Sequence, residues 1–401
     1  MKFAHMADCH VGSWRDPRLK ELSIEAFCKA INICVENEVD FIIIAGDLFN
    51  NALPGIDNLK VVVKEFKRLQ DKKIPVYVIP GSHDYSPSGK TMIDVLDEAG
   101  FLKNVFKGKA VDNKLFLDFT IDEKTGVKLT GILGRRGTLE KNYYEALDIE
   151  SLESEPGKKI FLFHSGIAEM MPKEFALIES TPLSMLPKGF EYYAGGHIHI
   201  VKHESFKDHK NVVYPGPLFP ASFSELEKLS NGGLYIYEDG NIRREELNLK
   251  NTFSIDIDAN HKTPEEVYTY VLEKIEKKEF INTIVLMRAH GTLKTGKVSD
   301  VKFNELFEKI YSQGAFFVMK NTSKLSSEDF EEIKIDHENI DNVEDALIKE
   351  HLQQLNLFDK EKEYNIIKDL MKSLSAEKHE GEKVHEYEDR IRKEADKVLD
   401  V

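Results

Sequence analysis

The 401-residue sequence is poor in cysteine and tryptophan, with three of the first and one of the second. Three thiols cannot build a disulfide framework, and none of them forms the CxxC pair of a structural zinc site. No apolar run approaches the roughly 18 residues that a membrane span needs. The first residues lack the apolar stretch and small-residue cleavage site of a secretory signal. These absences predict a cytoplasmic protein without membrane segments.

Positive charge is also scarce, because 55 basic residues face 70 acidic ones and the formal net charge is −15. This balance argues against a protein that coats nucleic acid by bulk attraction, although it allows a local basic face. Apolar and aromatic side chains are plentiful, at 41% and 10% of the chain. Such fractions exclude global disorder, and the length favours two or three domains.

The first 250 residues alternate short apolar runs with amphipathic helical segments. The run 40–45, after its first residue, and the run 75–79 are apolar throughout, as expected for strands covered on both faces. This alternation predicts a parallel-rich α/β sheet. A second sheet packed on the first is predicted from six later strand-like runs, at 115–119, 127–133, 159–163, 192–194, 212–214 and 234–237.

Two further units follow in the sequence. Residues 251–325 predict a small β-α-β-α-β domain, whose first helix starts at the capping pattern Thr263-Pro264-Glu265-Glu266. The polar, acidic stretch 326–339 is predicted to be a linker, and 340–401 to be helical with two apolar stripes. These stripes fit either a helical hairpin packed on its own chain or a docking module for a partner.

Short clusters of Asp and His follow predicted strands, each at the carboxyl end. Open α/β sheets bind ligands at this edge, so residues far apart in sequence are expected to converge there. Asp and His ligands without a thiolate suit Mn, Zn or Fe. Six candidates exceed the needs of one ion, and Asp47 could bridge two ions, as in two-metal phosphoryl transfer. The six are Asp8, His10, Asp47, His164, His197 and His199.

These motifs, in this order, resemble those of the calcineurin-like metallophosphoesterase superfamily. The segments 1–12, 44–49 and 192–199 are similar, more narrowly, to the DNA double-strand-break repair nucleases of the meiotic recombination 11 family, whose bacterial counterpart is the nuclease subunit of SbcCD. The resemblance implies a four-layer α/β sandwich with a small α/β cap domain and a C-terminal helical tail. It implies four parts: a nuclease domain (1–250), a capping, DNA-binding domain (251–325), a linker (326–339) and a helical partner-docking region (340–401).

The resemblance also implies a role for each clustered residue. The first Mn²⁺ would be held by Asp8, His10, Asp47 and His199, and the second by Asp47, His164, His197 and Ser82. Mg²⁺ or another divalent ion could replace Mn²⁺. His83 would be the catalytic histidine, and Asp84 would orient it. Ser82 departs from the family, which usually has Asn there, and this predicts a weaker second metal site.

The implied function is an Mn-dependent DNA exonuclease and endonuclease that acts on double-strand ends and hairpins in break repair, at the nucleoid. The implied partners are a second copy of the chain and an SMC-like coiled-coil ATPase of the SbcC type, docked through 340–401. The alternatives are another calcineurin-like phosphodiesterase or phosphatase, or a non-catalytic scaffold that binds DNA ends. No DNA contact is assigned, and each basic candidate could be an ordinary solvated charge. These candidates are Arg15, Arg18, Lys90, Arg135, Arg136, Lys202, Lys294 and Lys297.

Overall fold

The computed structural model describes residues 1–86, 89–135, 140–172, 180–328, 359–376 and 384–399. The chain divides into two units, Met1–Ser326 and Ser327–Val401, and each is described by itself. Within the described ranges, no helix combines the length and apolar character that crossing a membrane requires.

The strands of the first unit are mostly short. The strands are β1 (Lys2–Met6), β2 (Phe41–Ala45), β3 (Val76–Ile79), β4 (Lys103–Asn104), β5 (Gly108–Val111), β6 (Lys114–Leu117), β7 (Thr120–Ile121), β8 (Lys128–Ile132), β9 (Lys159–His164), β10 (Tyr192–Gly196), β11 (Val201–Glu204), β12 (Val212–Pro215), β13 (Gly232–Glu238), β14 (Asn241–Leu247), β15 (Asn251–Asp258), β16 (Thr283–Leu293) and β17 (Phe317–Ser327).

Helices cover the outer faces of the sheets and form the second unit. They are α1 (Pro17–Glu36), α2 (Ile56–Asp71), α3 (Met92–Glu98), α4 (Lys141–Ala146), α5 (Ile149–Ser154), α6 (Phe223–Leu229), α7 (Pro264–Ile275), α8 (Phe303–Ser312), α9 (Lys360–Leu374) and α10 (Val384–Leu399).

Two six-stranded sheets pack face to face. The first has the strand order β14-β13-β1-β2-β3-β4 and the second the order β11-β12-β10-β9-β8-β7. Alternate side chains of each strand point to opposite faces, so Phe41 and Ile43 meet the second sheet while Ile42 and Ile44 pack under α1 and α2. On the far side, the second sheet packs against Tyr144 of α4 and the helix α5. The result is the expected four-layer α/β sandwich.

Two predicted strands of the second sheet lie elsewhere. The run 234–237 belongs to β13, which pairs antiparallel with β1 of the first sheet, with Tyr237 opposite Phe3. The run 115–119 contributes β6, which pairs with β5 in a separate hairpin. Periodicity shows that a segment is a strand and which side chains share a face, but it carries no information on the neighbouring strand, so these two placements were wrong.

A third, three-stranded sheet of order β15-β16-β17 packs with α7 and α8, and these five elements are called the cap below. Its central strand is buried on both faces. Val285 and Met287 enter the core of the cap itself, whereas Ile284 and Leu286 pack into the core beneath the first sheet. The element order is the predicted β-α-β-α-β, and the cap shares an apolar boundary with the sandwich.

The described part of the second unit consists of α9 and α10, which pack against each other. The Asp359 side chain accepts a hydrogen bond from the Lys362 amide and so caps α9. The Tyr387 hydroxyl of α10 donates to the Ala376 carbonyl oxygen. The predicted linker from residue 329 onward and the first apolar stripe, at 340–355, lie outside the described residues.

Candidate metal centre

The clustered Asp and His residues converge at one edge, beyond the carboxyl ends of strands from both sheets. Asp8 and His10 follow β1, and Asp47 follows β2. The segment 82–84 follows β3, His164 ends β9, and 197–199 follows β10. Because β1, β2 and β3 run parallel to one another, as do β9 and β10, these ends meet at the same edge.

Five of the predicted ligands have their backbone in a left-handed conformation that side-chain-bearing residues rarely adopt. Strain of this kind costs about 1–3 kcal/mol per residue and is concentrated at functional sites. Hydrogen bonds between loops hold it in place: the Asp8 amide donates to the Gly46 carbonyl oxygen at 3.1 Å and the His10 amide to that of Asp47 at 3.0 Å. The φ angles are 50° at Asp8, 41° at His10, 52° at Asp47, 96° at His197 and 50° at His199.

Three overlapping groups of side chains could hold a metal ion. In each, the ligand atoms lie within 4.8 Å of one another. Because the groups share members, the ions that they could bind would be close neighbours, as two-metal phosphoryl chemistry needs. The groups are Asp8, His10 and His199; His10, Asp47 and His83; and Asp8, Asp47 and His164.

The histidine rings turn their Nε2 atoms toward the centre of the cluster. His10 Nε2 lies 3.1 Å from His199 Nε2, and His164 Nε2 lies 3.2 Å from Asp47 Oδ2. On the outer side, His164 Nδ1 is 2.8 Å from the Ala45 carbonyl oxygen. Such an outer acceptor fixes the tautomer whose inner nitrogen carries a lone pair, as in metal-binding histidines. The donor set therefore fits divalent cations.

Burial and charge divide the histidines into two kinds. Burial lowers the pKa of His10 to about 3, which keeps its ring neutral and able to bind a metal. Burial also disfavours charge on His164, but the Asp47 carboxylate outweighs it and raises the pKa to about 10. At His199, burial is outweighed in the same way by Asp8, and the pKa rises to about 9. The pKa values of these two imidazoles are raised by negative charge that a bound cation would otherwise neutralise.

Ser82 and His197 also lie in the cluster. Ser82 Oγ is 3.5 Å from Asp47 Oδ2, and the residue is 6% exposed. The His197 amide donates to the Asp8 carboxylate at 2.9 Å, and its ring centroid is 5.0 Å from that of His164. Among the described residues, His197 belongs to none of the three groups.

The structure corrects the predicted role of Asp84. Its carboxylate accepts hydrogen bonds from three backbone amides, those of Leu48, Phe49 and Gly81. The imidazole of His83 instead has Nδ1 3.0 Å from the Asn50 carbonyl oxygen. Asp84 therefore ties two ligand-bearing loops together, and Asn50 takes the role of orienting His83.

Sequence reasoning missed Glu225, whose Oε2 lies 3.1 Å from His199 Nδ1. The pattern Ser222-x-x-Glu225 is a capping box and could have indicated a helix start, but it does not point to a histidine. Glu225 and Lys228 of α6 line a cavity of about 520 Å³ together with the metal-centre residues Asp47, Ser82, His83, His197 and His199.

Most basic candidates for DNA contact are exposed, but several have partners within the chain. The Arg18 guanidinium lies 4.5 Å from the Phe317 ring centroid in the cap. Lys202 Nζ reaches Glu204 and the Met170 carbonyl oxygen. Arg135 lies over the rings of Tyr85 and Tyr143. Arg136 lies outside the described residues. Arg18, Lys202 and Arg135 thus have contacts within the chain, and the structure assigns no DNA contact to any candidate.

The double-sheet sandwich and its Asp/His cluster at the strand ends define a metallophosphoesterase type of protein. A family model described as calcineurin-like phosphoesterase matches residues 1–201, which is half of the chain. The chain belongs to the calcineurin-like phosphoesterase family. The family implies divalent metal ions, and the three groups described above are where this chain could hold them.

Similar curated proteins include several archaeal proteins named DNA double-strand break repair protein Mre11. The protein from Archaeoglobus fulgidus is 29% identical over 57% of this chain and 52% of its own length. That from Methanococcus maripaludis is 28% identical over 59% and 62%, and that from Methanocaldococcus jannaschii is 25% identical over 87% and 93%. The chain thus spans about half to three-fifths of the first two relatives. The predicted resemblance is confirmed.

Replacing Gly46 with Ala should dismantle the metal centre. Gly46 has a φ of +87°, and a Cβ there would lie 2.1 Å from His164 Nδ1. We expect Mn²⁺ affinity, measured by calorimetry, to fall at least about 10-fold, as when the support of a ligand is lost. Gly126→Ala is the control, since Gly126 has a φ of +71° and its Cβ would meet no described atom within 4 Å. Equal Mn²⁺ affinities in the two variants would contradict the expected clash.

Proposed function

We propose that this chain is an Mn²⁺-dependent DNA exonuclease and endonuclease that hydrolyses phosphodiester bonds at DNA ends and hairpins in double-strand-break repair. The observation that carries the proposal is the set of three overlapping ligand groups around Asp47, on one cleft of a calcineurin-like phosphoesterase. The choice of DNA as substrate draws on the Mre11 relatives, whose name refers to DNA double-strand break repair.

The ligand residues divide between two ions in this proposal. Asp8, His10 and His199 with Asp47 would hold one ion, and Asp47 with His164, His197 and Ser82 the other. When bound, the ions supply charge neutralisation for the scissile phosphate and lower the pKa of water. The chain contributes rigidity. Asp84 ties two ligand-bearing loops together, and these loops and the strand ends hold the ligands in place without a metal ion.

His83 is the residue that would handle the proton. With Nδ1 directed to the Asn50 carbonyl oxygen, the ring leaves Nε2 for the substrate. The residue lines the cleft, and its ring centroid is 4.9 Å from that of His10. We infer that it donates a proton to the leaving oxygen or stabilises the charged phosphate.

Two protein partners complete the proposal. A second copy of the chain would use the exposed apolar residues Leu53, Ile56 and Val95, near α2 and α3, which are 79%, 83% and 58% exposed. By contrast, Val62 and Phe66 of α2 are fully buried in the core. An SMC-like coiled-coil ATPase would dock on the region 340–401, where exposed apolar residues of α9 offer a surface.

His83→Ala should abolish most cleavage while sparing metal and DNA binding. We expect the rate of Mn²⁺-dependent cleavage of linear duplex and hairpin DNA to fall about 10²–10⁴-fold, the usual contribution of a general acid. His203→Ala on β11, where His203 is exposed, is the matched control. A large drop in Mn²⁺ affinity would instead make His83 a ligand, as its group with His10 and Asp47 allows.

The wild-type chain separates the remaining alternatives in the same assay. DNA binding without cleavage under any divalent metal would favour the non-catalytic scaffold. Cleavage of small phosphodiesters without cleavage of DNA would favour another phosphodiesterase of the same family.

Ser82→Asn should strengthen the second metal site. The Ser82 hydroxyl donates to Asp47 Oδ2 at 3.5 Å, whereas the carbonyl oxygen of the longer Asn side chain has more reach and is a competent ligand for hard ions. Calorimetry should show a tighter second Mn²⁺ with unchanged total stoichiometry, and turnover should saturate at lower Mn²⁺. Identical Mn²⁺ affinities in the two proteins would contradict the prediction.

The double variant Met371→Asp, Leu374→Asp should weaken docking of the ATPase. These residues of α9 are 38% and 59% exposed, so the change removes apolar contact area and adds charge without emptying a core. We expect affinity for a co-expressed SMC-like ATPase to fall at least about 10-fold, with DNA cleavage by the isolated chain unchanged. Lys372→Ser, on the exposed side of the same turn, serves as control. Undiminished affinity of the double variant would exclude this surface.

A further inference from the structure

The short helix α6 is built around the carboxylate of Glu225. The helix starts at Ser222, whose hydroxyl accepts a hydrogen bond from the Glu225 amide and donates one to Glu225 Oε1. Glu225 Oε2 accepts a further hydrogen bond from the Ala221 amide at 2.9 Å. Ser222 is therefore the N-cap of the helix, and these contacts leave the carboxylate in a fixed position at the start of the helix.

The same carboxylate faces a predicted metal ligand. Glu225 Oε2 lies 3.1 Å from His199 Nδ1, while His199 Nε2 lies 3.7 Å from Asp8 Oδ1 on the inner side. A carboxylate at the outer nitrogen commits that nitrogen as the donor and leaves Nε2 with its lone pair toward the cluster. Glu225 thus sets both the tautomer and the direction of the imidazole.

The other face of α6 is bound by the cap. The guanidinium of Arg288, on β16, donates to both carboxylate oxygens of Glu227 at 2.7–2.9 Å. It also lies 4.9 Å from the Phe223 ring centroid and donates to Ser224 Oγ at 3.3 Å. Bidentate Arg–carboxylate pairs fix direction as well as distance, so the cap holds α6 at three residues.

We propose that Glu225 is a positioning residue of the metal centre, which fixes His199 for metal binding, and that Arg288 holds α6 so that the docked cap supports the same imidazole. This inference rests on the proposed function, since it assumes that the cluster binds metal. Loss of a carboxylate behind a metal-binding histidine costs about 10–100-fold in metal affinity.

The test compares Mn²⁺ affinity in variants that separate helix capping from support of His199. Calorimetric titration should show about 10–100-fold weaker Mn²⁺ binding in Glu225→Ala. Glu225→Gln keeps a capping-box residue and an acceptor for Nδ1 and should recover most of that affinity. Ser222→Ala removes the cap hydroxyl and its hydrogen bond to Glu225 Oε1, but it leaves the Ala221 amide and His199 in contact with Oε2. This variant should therefore lose much less Mn²⁺ affinity than Glu225→Ala.

Several results would overturn the role of Glu225. If Glu225→Ala loses Mn²⁺ affinity only because the helix is disturbed, Ser222→Ala will lose as much affinity and the inference fails. Wild-type affinity in Glu225→Ala also overturns it. Adding Glu225→Ala to His199→Ala should cause no further loss, because Glu225 acts through that ring, and an additive loss contradicts this route. Thermal melts of each variant show whether the fold is intact.

The contribution of the cap is tested with Arg288→Ala. We expect weaker Mn²⁺ binding than in the wild type, and a smaller loss than in Glu225→Ala, because Arg288 acts one step further away. Arg243→Ala, which breaks a pair with Glu245 on β14, is the matched control. Wild-type affinity in Arg288→Ala would overturn the link to the cap. A wild-type chain that binds no divalent cation would overturn the proposed function, whereas normal wild-type binding with unaffected Glu225 variants would overturn this inference alone.

Discussion

The site depends on the burial of one carboxylate, that of Asp47, where the two sheets meet. At 2% exposure, this side chain has little access to water and must find its partners within the protein. Oδ1 accepts a hydrogen bond from the His83 amide at 2.7 Å, and Oδ2 lies 3.2 Å from His164 Nε2. Asp47 thereby joins loops from both sheets, and its negative charge raises the pKa of His164. The rest of the centre follows from the need to surround a buried anion with donors or cations.

The sequence was sufficient to predict that these Asp and His residues converge at one edge, because each one follows a strand that hydrophobicity alone reveals. The strand 40–45 is apolar at both faces, so its end, and with it the place of Asp47, could be located. The layered α/β architecture was predicted for the same reason. The placement of β13 was not, since its continuous apolar run fits a buried strand of either sheet.

Contacts made by the backbone or by distant side chains were beyond prediction. The acceptor for His83 is the carbonyl oxygen of Asn50, and a carbonyl oxygen is present at every residue. Glu225 follows His199 by 26 positions and becomes its neighbour only because α6 folds back over the cleft. The net charge is uninformative for a related reason. Residues 338–401 carry 18 acidic and 11 basic side chains, so nearly half of the net −15 lies outside the phosphoesterase fold and says little about its cleft.

The two imidazoles at the ends of the centre are secured by different means, and this makes the centre asymmetric. His164 ends β9 of the second sheet and is held by the Ala45 carbonyl oxygen of β2, in the facing sheet. No side-chain substitution removes this backbone oxygen. His199 lies in a loop with a left-handed backbone and is held by one side chain of a seven-residue helix. That helix is anchored by the buried Leu226, by Phe223 packed against the core and by the Arg288 contact of the cap. The His199 side is therefore where changes in the cap can reach the metal ligands, while the His164 side stays fixed by the sheet.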